Sequence, residues 1–478
     1  ALYEVRGGCD EALRRMSDWD LILRYCRGSR VDYAPFIGCI YDARLTRPDR
    51  ITVAEPMNWL YVVLAKHLLD WPRLQAEAPA RDPHLVSIVI PIYGQKEMTE
   101  DCLRSLFATE AGHPFELVLV DNGSDAETAA MLDAWAARRP EIRLVRNWEN
   151  LNFALGCNLG FAASRGATIV FLNNDTLVTP NWLQPLMAAL ADARIGAVQP
   201  KLLYPDGKVQ SFGTVLGPQG IIPYELYRGQ PGDAPQVSRR HALQMITAAC
   251  MAIRAGDFAA LRGFDPMFIN GQEDNDLCLR LAEVTGRRCL VEPASVVIHR
   301  EGATPGRGRF SQSNRRIFAA RWTGKLHADD SAIYAEDGFV ARDYRPDVPE
   351  WAAAGLASFR PSLTRATEEQ AGTIAAPHLR DADRLPTIAI RIACPSAAVR
   401  AEWGDYHFAA SLARAFTALG CSTRIDFRRD WAGAPAADCD LVLRGLERFE
   451  PLPSRPAILW VISHPDLVQD EELRRYGH

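Results

Sequence analysis

What this 478-residue chain lacks narrows the possibilities before any motif is read. Its eleven cysteines include no CxxC pair and no regular spacing. An odd count without a framework reads as reduced thiols in a cytosolic compartment. No run reaches the ~18–20 uninterrupted apolar residues that a membrane span needs. The nearest, WLYVVLAKHLL at 59–69, is short, carries Lys66 and His67, and reads as a packing helix. There is no long basic block, and a formal net charge of −5 opposes a broad nucleic-acid footprint. The chain opens at Ala1 without a signal-peptide pattern, and reads as a piece of something longer.

What is present is ordinary in bulk and specific in arrangement. Hydrophobic residues make up 48% and charged residues 24%, the balance of a globular protein, and the length calls for more than one core. From residue 85 onward, apolar runs alternate with helical patterns. VSIVI (86–90), ELVLVD (116–121), IRLVRN (142–147) and TIVFLNND (168–175) have the near-continuous apolar character of strands buried on both faces. EMTEDCLRSLFA (97–108), DAETAAMLDAWAARR (125–139) and NFALGCNLGFAAS (152–164) carry apolar residues at three- and four-residue spacing. This rhythm predicts an α/β layer with right-handed crossovers, whose ligands bind beyond the carboxyl ends of the strands.

Polar residues cluster at those strand ends. Pro91 and Tyr93 follow the first strand, and Asp121, Asn122, Gly123, Ser124 and Asp125 the second. Asn150 and Asn152 follow the third, while Asn173, Asn174 and Asp175 end the fourth. One such cluster is loop and capping chemistry. Four in succession on one sheet edge predict a binding cleft.

The stretches PIYGQKEMTEDCLRSL, LVLVDNGSDAET, NLNFALGCNLGFAASRGATIVFLNNDT, GFDPMFINGQEDNDLCLRL and VVIH, in that order, resemble the inverting glycosyltransferases of family 2, with a GT-A fold. The resemblance covers about half the chain. It implies a nucleotide-sugar donor (UDP-, dTDP- or GDP-linked) and a glycan or lipid-linked glycan acceptor. By the same resemblance Asp121 accepts a hydrogen bond from the base, with Pro91 and Tyr93 flanking it. Asn150 and Asn158 help hold nucleotide and sugar, a role that competes with capping and turn formation for the same residues. Asn173-Asn174-Asp175 stands where the family has its Asp-x-Asp motif. Asn174 then contacts the donor, while Asp175 and His299 hold a divalent cation, Mg²⁺ or Mn²⁺, at the diphosphate. Two amides in place of carboxylates weaken that expectation.

In similar enzymes the Glu-Asp pair of GQEDNDLCLRL supplies the general base. Asp274 takes that role here, Glu273 orients it or meets the acceptor, and Asp276 caps or braces the helix. The expected reaction is one displacement with inversion, in bacterial surface polysaccharide synthesis. The alternatives are a nucleotidyltransferase, which would need a glycine-rich, basic loop where PIYGQKE stands, and a non-catalytic glycan-binding module. Residues 301–316, EGATPGRGRFSQSNRR, read equally as a flap over the diphosphate or as a solvated basic loop.

The two ends extend the theme. SDWDLILRY (17–25) echoes EDNDLCLRL (273–281), and the expected organisation starts with residues 1–50 as the tail of an upstream GT-A-like unit. In that tail Asp18 matches Asp274, Ser17 replaces Glu273, and Tyr41 or Asp42 falls near the histidine position. A helical linker (51–84), the GT-A catalytic domain (85–325) and a second linker (326–385) follow. The last stretch, 386–478, resembles the N-terminal Rossmann-like half of a GT-B enzyme of family 4 type, with Trp403–Phe408 in an acceptor loop. The expected location is cytoplasmic, with room for peripheral association at the inner face of the plasma membrane and for other transferase domains in the same polypeptide.

Overall fold

The computed structural model describes residues 5–27, 56–109, 111–301, 307–366, 387–418, 421–431, 437–445, 447–452, 455–462, 467–473 and 475–476. The chain divides into two compact units, Ala1–Arg365 and Ala366–His478. Tyr41, Asp42 and the tip of the 301–316 stretch lie outside the described residues.

In the first unit, α1 (Ser17–Cys26), α2 (Trp59–Leu68) and α3 (Trp71–Glu77) precede a ten-stranded sheet. The apolar segment 59–69 is α2, which packs through Val63 and Ala65. Among the described residues no helix is long and apolar enough to cross a membrane. The sheet opens with β1 (Asp82–Ile92), α4 (Lys96–Ala108), β2 (Phe115–Asp121), α5 (Ala126–Arg138), β3 (Ile142–Arg146), α6 (Asn152–Ala163) and β4 (Gly166–Leu172). β1 pairs in parallel with both β2 and β4, and β2 with β3.

The apolar runs make this layer because alternate residues serve opposite faces. Val89, Val118, Val120, Ile169 and Phe171 belong to one core, while Ile88, Ile90, Leu117, Leu119 and Val170 belong to the other. Burying each such side chain contributes roughly 1.5–3 kcal/mol. α6 lies close on the first face because Gly160 has no side chain. A Cβ there would stand 2.3 Å from Val89 and 2.8 Å from Val120. Substitution at Gly160 would push the helix off the sheet.

The chain continues through β5 (Thr176–Val178), α7 (Leu183–Leu190), β6 (Ile195–Leu203), β7 (Val209–Ser211), β8 (Thr214–Val215), β9 (Tyr224–Glu225), β10 (His241–Leu243) and β11 (Cys250–Arg254). Then come α8 (Ala255–Ala260), α9 (Glu273–Thr285), β12 (Arg288–His299) and α10 (Ser311–Trp322). The main strand order is β10-β12-β6-β11-β4-β1-β2-β3. β11 runs antiparallel between β4 and β6, and β6 pairs in parallel with β12. The start of β11 therefore shares an edge with the carboxyl ends of β1 and β4. The sheet is thus mixed and parallel-rich, with the α/β layering that the alternation of strands and helices predicts.

Where a linker is expected from 326, the described residues hold α11 (Asp330–Glu336) and a hairpin of β13 (Phe339–Pro346) with β14 (Phe359–Arg365). Buried Tyr224 donates a 2.6 Å hydrogen bond to Asp330, and Tyr344 donates to the same carboxylate at 2.9 Å. Proline, alanine and charge dominate the composition there, but these few buried polar anchors tie the stretch to the unit. Residues 367–386 lie outside the described ones.

The second unit has its own four-stranded parallel sheet, ordered β16 (Ser422–Asp426), β15 (Thr387–Ile392), β17 (Cys439–Arg444), β18 (Ala457–Val461). Buried Arg391 joins it internally, pairing with Asp426 at 2.7 Å and Asp440 at 2.8 Å. Helix α12 (Gly404–Ala418) starts inside the WGDYHF stretch, so Asp405 to Phe408 are helical rather than loop residues.

Candidate active site

The strand ends of the first unit surround one open cleft. Pro91 and Tyr93 come from the end of β1, Asn174 and Asp175 from the turn after β4, and Asn150 from the turn before α6. Glu273 and Asp274, more than ninety residues further on, enter from α9, and Thr247, Ala248 and Ala249 line the wall ahead of β11. The topology explains the convergence. β1 and β4 lie side by side, and β11 presents its start at their carboxyl ends.

Each side chain is held by identifiable partners. Asp274 accepts from the Ala248 backbone N–H at 3.2 Å and, through its other oxygen, from Asn275 N–H at 2.8 Å. Its anchor lies deeper. Asp276, fully buried, takes Arg280 Nε at 2.7 Å, Arg321 Nη1 at 2.7 Å and Trp322 Nε1 at 3.1 Å. It fixes the first turn of α9 from behind while Asp274 faces the cleft. Glu273 is 6% exposed and accepts from the Gly271 N–H, closing the turn before the helix.

Three non-glycine residues at this wall adopt left-handed backbone, Asn152 (φ 63°), Asn270 (φ 55°) and Gln272 (φ 73°). Such conformations cost energy and persist where surrounding contacts impose them. Here the Asn270 side chain receives Phe153 N–H at 3.0 Å and donates to Asn152 at 3.2 Å, linking α6 to the α9 turn. Asn150 accepts from Asn152 N–H at 2.9 Å, an Asx turn that shapes the same corner. Asn174 donates to Thr99 at 2.9 Å, tying the turn after β4 to α4.

Three of the residues singled out from sequence, Asp121, Asn158 and His299, are buried and are not among those lining the cleft. Asp121, 3% exposed, accepts from Ser124 N–H at 2.9 Å and pairs with Arg146 at 2.6 Å. Its neighbour Asn122 is the lining residue. Asn158, 1% exposed, spends both ends of its amide on the Phe264 backbone, at 2.9 Å to N–H and 2.8 Å to C=O. It fastens α6 to the 261–268 loop and does not line the cavity.

His299 ends β12 beside Asp175, with 3.2 Å between Nε2 and Oδ1. Its Nδ1 lies 3.1 Å from Gln210 Oε1, so donation there leaves the Nε2 lone pair facing Asp175 and Asn173. Among the described residues no group of three or more His, Cys, Asp and Glu side chains is placed to hold a metal. One carboxylate and one imidazole side by side nevertheless suit a divalent cation that takes its remaining ligands from a diphosphate and water. The Cys102 thiol nearby is pushed up to about 12 by burial, and takes no part as a thiolate near neutral pH.

Sequence reasoning missed Arg146, Gln210, Asn270 and Glu225. Glu225, on β9, is driven up to about 7, first by burial and further by the negative charge of nearby Asp274, against a hydrogen bond from Ser211. Each of these acts across a large sequence separation, and no local pattern marks any of them.

Residues 87–261 match the family described as Glycosyl transferase family 2. The chain therefore carries a glycosyltransferase family 2 domain at its centre. It is 30% identical over 286 residues to the uncharacterized protein y4gI of Sinorhizobium fredii (strain NBRC 101917 / NGR234), a match covering 57% of this chain and 31% of that one. It is 32% identical over 234 residues to the O-antigen biosynthesis protein RfbC of Myxococcus xanthus, covering 47% of this chain and 18% of RfbC. The chain thus spans less than a third of the length of either relative. The crystal structure of GalNAc-T7 with UDP, GalNAc and Mn²⁺ aligns over 53% of this chain and 50% of that chain, at 19% identity and a TM-score of 0.41.

Proposed function

We propose that the central unit transfers a sugar from a nucleotide-sugar donor to a glycan acceptor, with inversion, in the synthesis of a bacterial surface polysaccharide. The observation that carries this reading is the entry of Asp274 into the same cleft as Pro91, Tyr93, Asn174 and Asp175. A base on one wall faces donor-binding groups on the other, the geometry a direct displacement requires. RfbC's description as an O-antigen biosynthesis protein supports the polysaccharide context.

In this reading the nucleotide base lies against Pro91 and Tyr93, with Asp121 one step behind Asn122 in the wall. Asn150 and Asn174 hold the sugar-diphosphate, and Asn158 supports them indirectly through the Phe264 loop. Asp274 takes the acceptor hydroxyl proton as that oxygen attacks the anomeric carbon. Glu273 fixes the turn that aims it. Asp175 and His299 hold a divalent cation, which when bound supplies charge neutralisation on the diphosphate. The small side chains of Thr247, Ala248 and Ala249 leave room for the acceptor sugar. The unit works on the cytoplasmic side, at the membrane surface where a lipid-linked glycan is presented. For the second unit, its parallel sheet and Rossmann-like connections support the reading as half of a GT-B domain.

The test is a screen of UDP-, dTDP- and GDP-sugars for Mg²⁺- or Mn²⁺-dependent release of nucleoside diphosphate. Turnover with at least one donor is expected. Donor binding by calorimetry should require the cation and disappear in Asp175→Ala. Unchanged binding in that variant would dismiss the cation site.

A further inference from the structure

The hairpin β13–β14, at the end of the first unit, has two unlike faces. Its inner residues Phe339, Ala341 and Leu363 pack against the core, and Tyr344 reaches Asp330 at 2.9 Å. Phe359 lies against Gly220, where a Cβ would stand 2.9 Å from its ring. On the outer face, Val340, Arg342 and Arg345 of β13 stand directly across from Thr364, Ser362 and Arg360 of β14. Directly opposed residues of an antiparallel pair share a face. Arg342, Arg345, Arg360, Ser362 and Thr364 are all exposed.

Residues three apart on a regular strand point to opposite faces, so Arg342 and Arg345 share one only because the ladder slips between them. At the slip Asp343 and Tyr344 oppose the single Pro361, and Asp343 takes a left-handed backbone (φ 48°). That conformation costs energy, and it sets Arg345 directly across from Arg360, a like-charge pair that destabilises a sheet. Among the described residues, Arg342, Arg345 and Arg360 form no ion pair and no side-chain hydrogen bond. Asp343, the one acid on these two strands, pairs with none of them. Neighbouring arginines are engaged, Arg315 with Asp347 at 2.6 Å and Arg365 over the Phe339 ring at 5.0 Å. Three cations gathered on one face at a cost to the fold, with no acid of the unit to offset them, fit an anionic partner.

This face lies on the Asp274 side of the cleft. The Glu225 carboxyl is raised first by burial and further by the charge of Asp274, and Arg360 draws it back down. Arg360 therefore stands within electrostatic reach of a group that itself feels Asp274. None of the three arginines lines the cleft. An open face of this kind suits an extended anionic surface better than a single enclosed phosphate, and each exposed arginine near such a surface adds to the attraction. We infer that the outer face of β13–β14 docks the unit on an anionic phospholipid bilayer, with Arg342, Arg345 and Arg360 against the lipid phosphates and Ser362 and Thr364 as neutral donors beside them. The inference rests on the proposed lipid-linked acceptor for its purpose, since docking here brings the Asp274 side of the cleft to the surface that holds the acceptor's lipid. The contact is local, so a chain of net charge −5 makes it without a broad basic footprint.

The test is sedimentation of the whole chain with vesicles of phosphatidylcholine alone, or of equal parts phosphatidylcholine and phosphatidylglycerol, with neither donor nor acceptor present. Wild type should bind the anionic vesicles at least about tenfold more tightly than the neutral ones, and should come off as salt is raised. Each single change, Arg342→Gln, Arg345→Gln or Arg360→Gln, should weaken that binding about fivefold, and the triple variant on the order of 100-fold. Because it removes a repelling pair, the triple variant should melt no earlier than wild type, and its release of nucleoside diphosphate in solution should be unchanged. Equal binding to both kinds of vesicle, or equal binding of wild type and triple variant to anionic vesicles, would overturn the docking face. Binding of inorganic pyrophosphate by wild type alone, without vesicle binding, would also overturn it and give the arginines to a soluble phosphate ligand. Sedimentation needs no turnover, so its failure leaves the transfer reading standing, and failure of every donor in the screen leaves the vesicle result standing.

Discussion

At the residue scale, position along a helix separates roles that composition alone blurs. Glu273, Asp274 and Asp276 crowd one turn, yet one closes a turn, one faces the cleft and one is buried among two arginines and a tryptophan. The cluster and the bracing role of Asp276 are legible in GQEDNDLCLRL. Its partners are not, because Arg321 and Trp322 arrive from 45 and 46 residues away. Asp276→Ala would leave both arginines facing a void, and removing one partner of a buried ion pair costs about 3–5 kcal/mol. Chemical denaturation should show a loss of that size, and a loss below about 1 kcal/mol would count against the anchor. Glu225 supplies a pH prediction. Its carboxyl is raised to about 7 in the fold, so the unfolded chain releases that proton first as pH rises. Its contribution to stability is full below the ordinary carboxyl range and is lost as pH climbs to about 7. Glu225→Gln should flatten the stability profile between about pH 4.5 and 7, and an unchanged slope would place the titration elsewhere.

Elements are where local pattern serves best and where its limit is clearest. β1, β2 and β4 are readable because a strand buried on both faces must be apolar at nearly every position. α6 is readable from its spacing, but the duty of Asn158 is not. A family position associated with donor contact is here a buried clamp on the Phe264 backbone, visible only once α6 and the 261–268 loop are seen together. Asn158→Leu would leave the Phe264 N–H and C=O unsatisfied, at about 1–3 kcal/mol for each buried group. The variant should melt earlier and, where it stays folded, keep a donor affinity within a few-fold of wild type. A large affinity loss at unchanged stability would return Asn158 to the donor site. The hairpin β13–β14 marks the other limit. Short amphipathic strands rich in proline and charge look like linker until buried anchors such as Asp330 are counted.

At the scale of the molecule, two units with separate cores should unfold separately. Calorimetry is expected to resolve two transitions, with a donor nucleotide and cation raising only that of the first unit, since a ligand stabilises the fold that binds it. A single cooperative transition shifted as a whole would contradict that independence. The order of strands and the placement of a cleft at their carboxyl edge follow from the alternation of buried strands with amphipathic helices. That alternation says nothing of which later segment closes the far wall, and the family resemblance alone points to α9. The account stands or falls on that wall. The direct measurement is the rate of sugar transfer by Asp274→Asn against wild type at saturating nucleotide sugar and cation, with donor affinity measured in parallel. The account predicts a fall of at least about 100-fold in turnover with donor affinity unchanged. Equal turnover in the two proteins would contradict it.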